Sequence, residues 1–222
     1  MINTIKATEH WLFDFDGTLV DSMGYWAGAM VSVLDKYDIK YEEDIISIIT
    51  PLGTKGTVKY FQTLGLDLSE EAIRSEIFDI LTPIYLDTIM LKPGVKNCLS
   101  KMKASGYKLH VLTASPHVWL DPCLVRNGIA ELFENIWSCD DDFGKGKNDP
   151  DIYISAAARI GTAVENVTFL DDNINADKAA KLSGMRVIGV YDKSSASDES
   201  DMRNITDSYV YDFLELQTML GI

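Results

Sequence analysis

The sequence predicts an α/β fold: a doubly wound parallel sheet with helices on both faces, interrupted by an inserted helical segment. Three observations carry that expectation. Short apolar runs alternate with helix-period stretches through most of the 222 residues, and such alternation builds parallel sheets. One interval, of roughly ninety residues between the first apolar run and Lys108, is several times what a crossover connection requires. Asp14-Phe15-Asp16-Gly17-Thr18 closes the first run with two carboxylates, at the strand end where open α/β sheets bind ligands.

The run His10 to Phe15 reads as a strand because it is short, aromatic and branched, and ends in a glycine turn. Residues two apart on a strand share a side, so Asp14 and Asp16 are expected to converge where the chain leaves the sheet. Residues 19–91 then read as a helical insertion over the carboxyl ends of the strands. Tyr25 to Tyr37 opens after Asp21-Ser22, a good N-cap pair. Gly56 to Leu64 ends at Gly65, and Ser69-Glu70-Glu71-Ala72 starts a helix with an acidic first turn. Pro93-Gly94 marks the return to a core formed by residues 1–18 and 92–222. Further strands are expected at Lys108 to Thr113, Asn135 to Ser138, Val167 to Leu170 and Arg186 to Val190, with a sixth candidate at Tyr209 to Tyr211. The intervening helices are Gly94 to Ala104, His117 to Asn127, Pro150 to Ile160, Ala176 to Ser183 and Phe213 to Leu220. Ser194 to Ser200 reads as a solvated loop.

Composition narrows the function classes. An apolar share of 46% permits a full core, and no stretch is long and clean enough to span a bilayer. The first ten residues lack the apolar run of a secretory signal. Cys98, Cys123 and Cys139 are odd in number and lack metal spacing, which points to reduced thiols in a cytoplasm. A net charge of −14 argues against nucleic acid. An anionic ligand would need local positive charge against that overall field.

Four polar sites at strand ends carry the chemistry. Two adjacent carboxylates repel unless one is protonated or a cation joins them. Hard divalent cations choose oxygen, so Asp14-x-Asp16 suggests a magnesium site. Thr113 in Leu112-Thr113-Ala114-Ser115-Pro116 places a hydroxyl before helix-entering N–H groups, which suits a phosphoryl oxygen. Lys145 and Lys147 precede a helix, and either can supply positive charge. Asp171-Asp172-Asn173 ends the fourth strand with a second acidic pair. His10 and His110 read as structural. His117 follows Ser115-Pro116 and reads either as structural or as facing the phosphate pocket. The glycines near Gly53 and Gly144 form no P-loop, and Asp140-Asp141-Asp142 lacks the spacing of an EF-hand. Tyr25 and Trp26 are expected to pack a helix, whereas Thr54 and Lys55 read as a specificity loop facing the core.

Taken together, these motifs resemble the haloacid dehalogenase superfamily, in the phosphoglycolate phosphatase and β-phosphoglucomutase branch, whose Rossmann-like core carries an inserted α-helical cap. The resemblance implies that Asp14 is the nucleophile and Asp16 the general acid/base, with Thr113 as the second motif. Lys147-Asn148-Asp149-Pro150-Asp151-Ile152-Tyr153 matches the family's Lys-Pro-x-Pro-Asp-Ile-Tyr and selects Lys147 over Lys145. Asp171-Asp172-Asn173 through Gly184-Met185 matches the fourth motif, with Asp171 for the usual Glu, Ala176 for a glycine and, in the third motif, Asn148 for a proline. Magnesium is then expected on Asp14, the Asp16 backbone carbonyl and Asp172, with Asp171 reaching it directly or through water. Gly17, Thr18, Ala114 and Ser115 would line the phosphate, and Lys55 would reach substrate from the cap. The implied activity is hydrolysis of a small phosphorylated metabolite through an aspartyl phosphate, by a monomer or a dimer, with no nucleic acid or membrane partner. A β-phosphoglucomutase-type phosphomutase is the alternative, and Thr18, where those mutases carry valine, leans towards hydrolysis. A non-catalytic phosphate-binding module is the reading from a different class.

Overall fold

β1 (His10–Phe13) is buried along its whole length, as a strand flanked on both sides must be. The computed structural model describes residues 8–222 apart from the side chains of Pro51, Gly53 and Thr54. Most of the segment read for a secretory signal, and the Thr54 side chain, therefore lie outside the described residues. After β1 come four helices: α1 (Met23–Lys36), α2 (Ile45–Ile49), α3 (Gly53–Thr63) and α4 (Glu70–Asp87). They form one compact unit, Ser22–Ile89.

The larger unit contains β1 and everything from Met90 onward. It continues with α5 (Val95–Ala104), β2 (Lys108–Thr113), α6 (His117–Arg126), β3 (Phe133–Ser138) and α7 (Pro150–Ile160). β4 (Val167–Asp171), α8 (Ile174–Ser183), β5 (Arg186–Val190), α9 (Glu199–Ile205), β6 (Ser208–Val210) and α10 (Phe213–Leu220) complete it. The strands form one parallel sheet in the order β3-β2-β1-β4-β5-β6. The chain builds outward from β1 in one direction, then restarts at β4 and builds in the other. The carboxyl ends of β1 and β4 therefore meet at the switch point, where the diverging connections leave a crevice. Phe13 pairs with Val111 on one side and Leu170 on the other, which sets Asp14 beside Asp171 one residue further on.

Side-chain alternation fills both faces. Leu12, Leu112, Phe169 and Val187 pack with Ile152, Tyr153 and Ala156 of α7 and with Ala176, Ala179 and Ala180 of α8. The alanines let α8 lie close to the sheet. Phe13 points the other way and meets Phe133 and Phe213, with ring centroids 6.3 and 6.4 Å away. In the smaller unit α1 packs along α4, and Trp26 Nε1 donates to the Tyr85 hydroxyl at 2.6 Å, consistent with the packing role expected of it. Ser69 caps α4 by accepting from Ala72 N at 3.1 Å.

Several boundaries differ from expectation for identifiable reasons. β1 ends at Phe13 instead of Phe15, although Asp14 N still bonds to Leu170 O at 2.9 Å. α8 starts at Ile174 instead of Ala176 because Asn173 caps it. The stretch read as a solvated loop is a 3-10 turn, Lys193–Asp198, followed by α9. α9 is too short to show periodicity and buries Met202 alone. The Pro51 to Gly56 segment, expected as a loop, enters α3, so Lys55 sits exposed in a first helical turn. Among the described residues no helix is long and apolar enough to cross a membrane.

Candidate active site

Asp14, Asp171 and Asp172 are all buried and offer carboxylate oxygens within 4.8 Å of one another. The two β-strand ends supply them, because Asp14 follows β1 and Asp171 closes β4. Lys147 Nζ stands 2.7 Å from Asp14 Oδ1 and donates to Asp171 Oδ2, also at 2.7 Å. The contact to Asp14 is an ion pair without an aligned hydrogen bond, which leaves Asp14 Oδ1 without an aligned donor. The second Asp171 oxygen accepts from Asn173 N at 2.8 Å, so both oxygens of Asp171 are engaged. Asp172 Oδ1 accepts from the Thr18 hydroxyl at 3.1 Å. Thr18, expected near the phosphate, is completely buried and orients this carboxylate instead.

The Lys147 backbone is held as well. The Tyr153 hydroxyl lies 2.9 Å from the Lys147 carbonyl and 3.1 Å from that of Ala176, tying α7 to α8 behind the site. Lys145 pairs with Asp149 and Asp151 on the surface, so Lys147 alone joins the cluster.

Electrostatics follow from burial. Burial pushes Asp171 up to about 7, helped by the charge on Asp14 and opposed by Lys147. Burial also raises Asp172 well above the usual carboxylate range, with Asp171, Asp14 and Asp192 adding to it. For Lys147, burial favours the neutral amine, but Asp14 and Asp171 overturn that and hold it well above its ordinary value. Ionising all three carboxylates beside one ammonium would leave two negative charges buried together, which is the cost that raises Asp171 and Asp172. A divalent cation offsets that excess, and the donors are the hard oxygens such a cation selects. The residues therefore fit a hard divalent metal.

Asp16 lies two residues beyond Asp14, past the end of β1. Its carboxylate is not among the three clustered ones, because the strand has ended and the Gly17 turn redirects the chain. Ser115 Oγ donates to Asp16 Oδ2 at 2.5 Å instead. Thr113 closes β2, 1% exposed, and its Oγ1 accepts from Ser115 N at 3.1 Å. That leaves the Thr113 hydroxyl hydrogen available to a ligand. Ala114 is exposed beside it. His117 does not offer a nitrogen to a phosphate: Nδ1 lies 2.9 Å from Asp121 and Nε2 2.9 Å from Asp142. His10 and His110 are buried and paired at 3.1 Å, consistent with their structural reading.

Two acidic groups near the site were not singled out from sequence. Asp177, in the first turn of α8, is completely buried with neither carboxylate oxygen hydrogen-bonded. Burial, then the charges of Asp171 and Asp172, raise it well above the usual range. An acid five residues beyond Asp172, among the alanines of a buried helix face, was the available signal. Asp192, beyond β5, pairs with Lys92 at 2.7 Å. Nothing local in the sequence links residues so far apart.

The chain belongs to the haloacid dehalogenase-like hydrolase family, whose profile matches residues 11–190. It is 26% identical over 181 residues to a phosphorylated carbohydrates phosphatase of Thermotoga maritima, covering 81% of this chain and 83% of that one. It is 25% identical to a phosphoglycolate phosphatase of Nitrosococcus oceani, over 98% of both chains. The fold matches the crystal structure of CbbY from Rhodobacter sphaeroides in complex with phosphate, with a TM-score of 0.78, 22% identity, and coverage of 97% of this chain and 100% of that one.

Proposed function

We propose that this protein is a magnesium-dependent phosphatase that hydrolyses a small-metabolite phosphate monoester through an aspartyl phosphate on Asp14. The observation that carries the reading is the buried group of Asp14, Asp171 and Asp172 with Lys147 bridging two of them. Membership in a hydrolase family, and relatives named as phosphatases, support phosphoric monoester hydrolysis over a mutase or a binding module.

Asp14, the backbone carbonyl of Asp16, and Asp172 would hold the metal, with Asp171 next to them. When bound, magnesium would neutralise charge on nucleophile and phosphate and favour their approach. Asp14 supplies the attacking oxygen, and its bond to phosphorus forms as the bond to the leaving alkoxide breaks. Asp16 gives that alkoxide its proton. As a carboxylate, Asp16 then takes a proton from water, whose oxygen attacks phosphorus and releases Asp14 and inorganic phosphate. Lys147 and the Thr113 hydroxyl stabilise the equatorial oxygens while charge spreads over them. Lys147 is pre-positioned for this by its two carboxylate partners and its anchored carbonyl. The helical unit would serve as a cap that selects substrate, with Lys55 contributing to that choice.

The test is phosphate release from p-nitrophenyl phosphate and from a panel of sugar, nucleotide and two-carbon phosphates. Turnover should require magnesium, vanish with chelator, and be lost in Asp14→Asn together with covalent labelling. Lys55→Ala should alter kcat/KM unevenly across the panel. Full activity in Asp14→Asn would refute covalent catalysis at this residue.

A further inference from the structure

We infer that Ser115 is a positioning residue for the acid/base Asp16 rather than a ligand of the substrate phosphate. The inference rests on the phosphatase reading and goes beyond it by assigning the second half-reaction a specific support. A serine hydroxyl has one hydrogen to donate. In this structure that hydrogen goes to Asp16 Oδ2 across 2.5 Å, so it is not available to a phosphoryl oxygen. The contact is sheltered, since Ser115 is 3% exposed.

Ser115 is also held from behind. Its backbone N–H donates to Thr113 Oγ1 at 3.1 Å, and Pro116 follows it as the N-cap of α6 with an extended backbone. Both neighbours restrict the backbone that aims the hydroxyl. Asp16 sits just before Gly17, whose φ of +75° turns the chain away from β1. A carboxylate on such a turn can rotate about two side-chain bonds. The Ser115 hydroxyl holds one of its oxygens, and links the second motif to the acid/base on the first.

The two half-reactions use Asp16 differently. In the first, its proton passes to the leaving alkoxide as the phosphorus–oxygen ester bond breaks. A p-nitrophenolate leaving group is stable as an anion and barely needs that proton. In the second, water attacks the aspartyl phosphate, its proton passes to Asp16, and the phosphorus–Asp14 bond breaks. Here the base is indispensable whatever the original leaving group, and its geometry controls the rate.

Ser115→Ala is therefore expected to leave phosphorylation by p-nitrophenyl phosphate nearly unchanged and to slow dephosphorylation about tenfold, a part of the roughly 10²–10⁴-fold that general-base catalysis supplies. A pre-steady-state burst of p-nitrophenolate should appear, and intact mass after acid quench should show the phosphorylated fraction rising. The inhibition constant of inorganic phosphate should not move. Ser115→Thr, which keeps the hydroxyl, should restore turnover. Ser115→Cys, close in size with a weaker donor, should fall between and carries the test if the alanine variant does not fold. A raised KM and a weaker phosphate inhibition constant with kcat unchanged would make Ser115 a phosphate ligand and overturn the inference. An unchanged phosphorylated fraction would overturn it as well. Loss of the underlying phosphatase reading is seen separately, as no magnesium-dependent turnover or no Asp14-dependent labelling in the parent protein.

Discussion

Gly17 lacks a side chain because Asp172 fills the space one would occupy. A Cβ built there would lie 2.5 Å from Asp172 Oδ2, at a φ of +75° that L-residues rarely adopt. Gly17→Ala is thus expected to lose about 1–2 kcal/mol from the backbone conformation alone and to displace a proposed metal ligand. Thermal unfolding would report the first effect and calorimetric titration of magnesium into the apoprotein the second. Unchanged magnesium affinity would remove Asp172 from the ligand set. At this scale sequence reading is sharp where a motif carries the information. The resemblance to the family's third motif selects Lys147 over Lys145, and the structure buries Lys147 in the carboxylate cluster and leaves Lys145 on surface partners. It is blunt where rotamers decide. Thr18 and Ser115 carry the same hydroxyl chemistry that phosphate binding needs, yet each donates to a protein carboxylate.

Elements act here through their ends. α8 begins directly after Asp171-Asp172, and Asn173 caps it by accepting from Asn175 N at 2.9 Å and Ala176 N at 3.4 Å. The same residue donates its backbone N–H to Asp171, so one cap fixes both the helix start and an acid of the site. Asn173→Ala should cost about 1 kcal/mol, a fall of roughly 2–4 °C in Tm for a chain of this size, whereas Asn173→Ser should be nearly neutral. Equal Tm values for all three proteins would show that water caps the helix as well as Asn173 does. Long, strongly patterned elements such as α1, α4 and α7 were legible because their apolar spacing repeats over three or more turns. α2 and α9 were not, because five and seven residues give too few repeats to distinguish a helix from a turn.

Across the sheet as a whole, a polar line runs through β1, β2 and β3. His10 Nδ1 meets His110 Nε2 at 3.1 Å, and His110 Nδ1 meets Asn135 Nδ2 at 2.9 Å. Burial, then the nearby His10 and Lys108, lower His110 to about 4. Above pH 6.5 the imidazole is neutral both folded and unfolded and costs nothing. As pH falls from 6.5 towards 4 the unfolded chain gains a proton that the fold refuses, which removes up to about 3 kcal/mol of stability. The raised carboxylates of the site act with the opposite sign, since the fold takes up their protons first. Comparison with His110→Gln cancels their contribution: Tm should fall less between pH 7 and 4.5 in the variant than in the parent protein. Parallel curves would mean the pair titrates normally.

The sequence by itself determined the parallel α/β architecture and the long run of helices between the first two strands. Each is written in local pattern: strand length and helix period. Only the tertiary structure decided which partners the polar groups at the strand ends take. Asp14 and Asp16 are two residues apart, yet one joins Asp171, Asp172 and Lys147 while the other turns to Ser115. That choice depends on strand order, because β1 lies between β2 and β4 and offers its outgoing chain to both neighbours. It also depends on burial, which forces each polar group to find a partner or a cation.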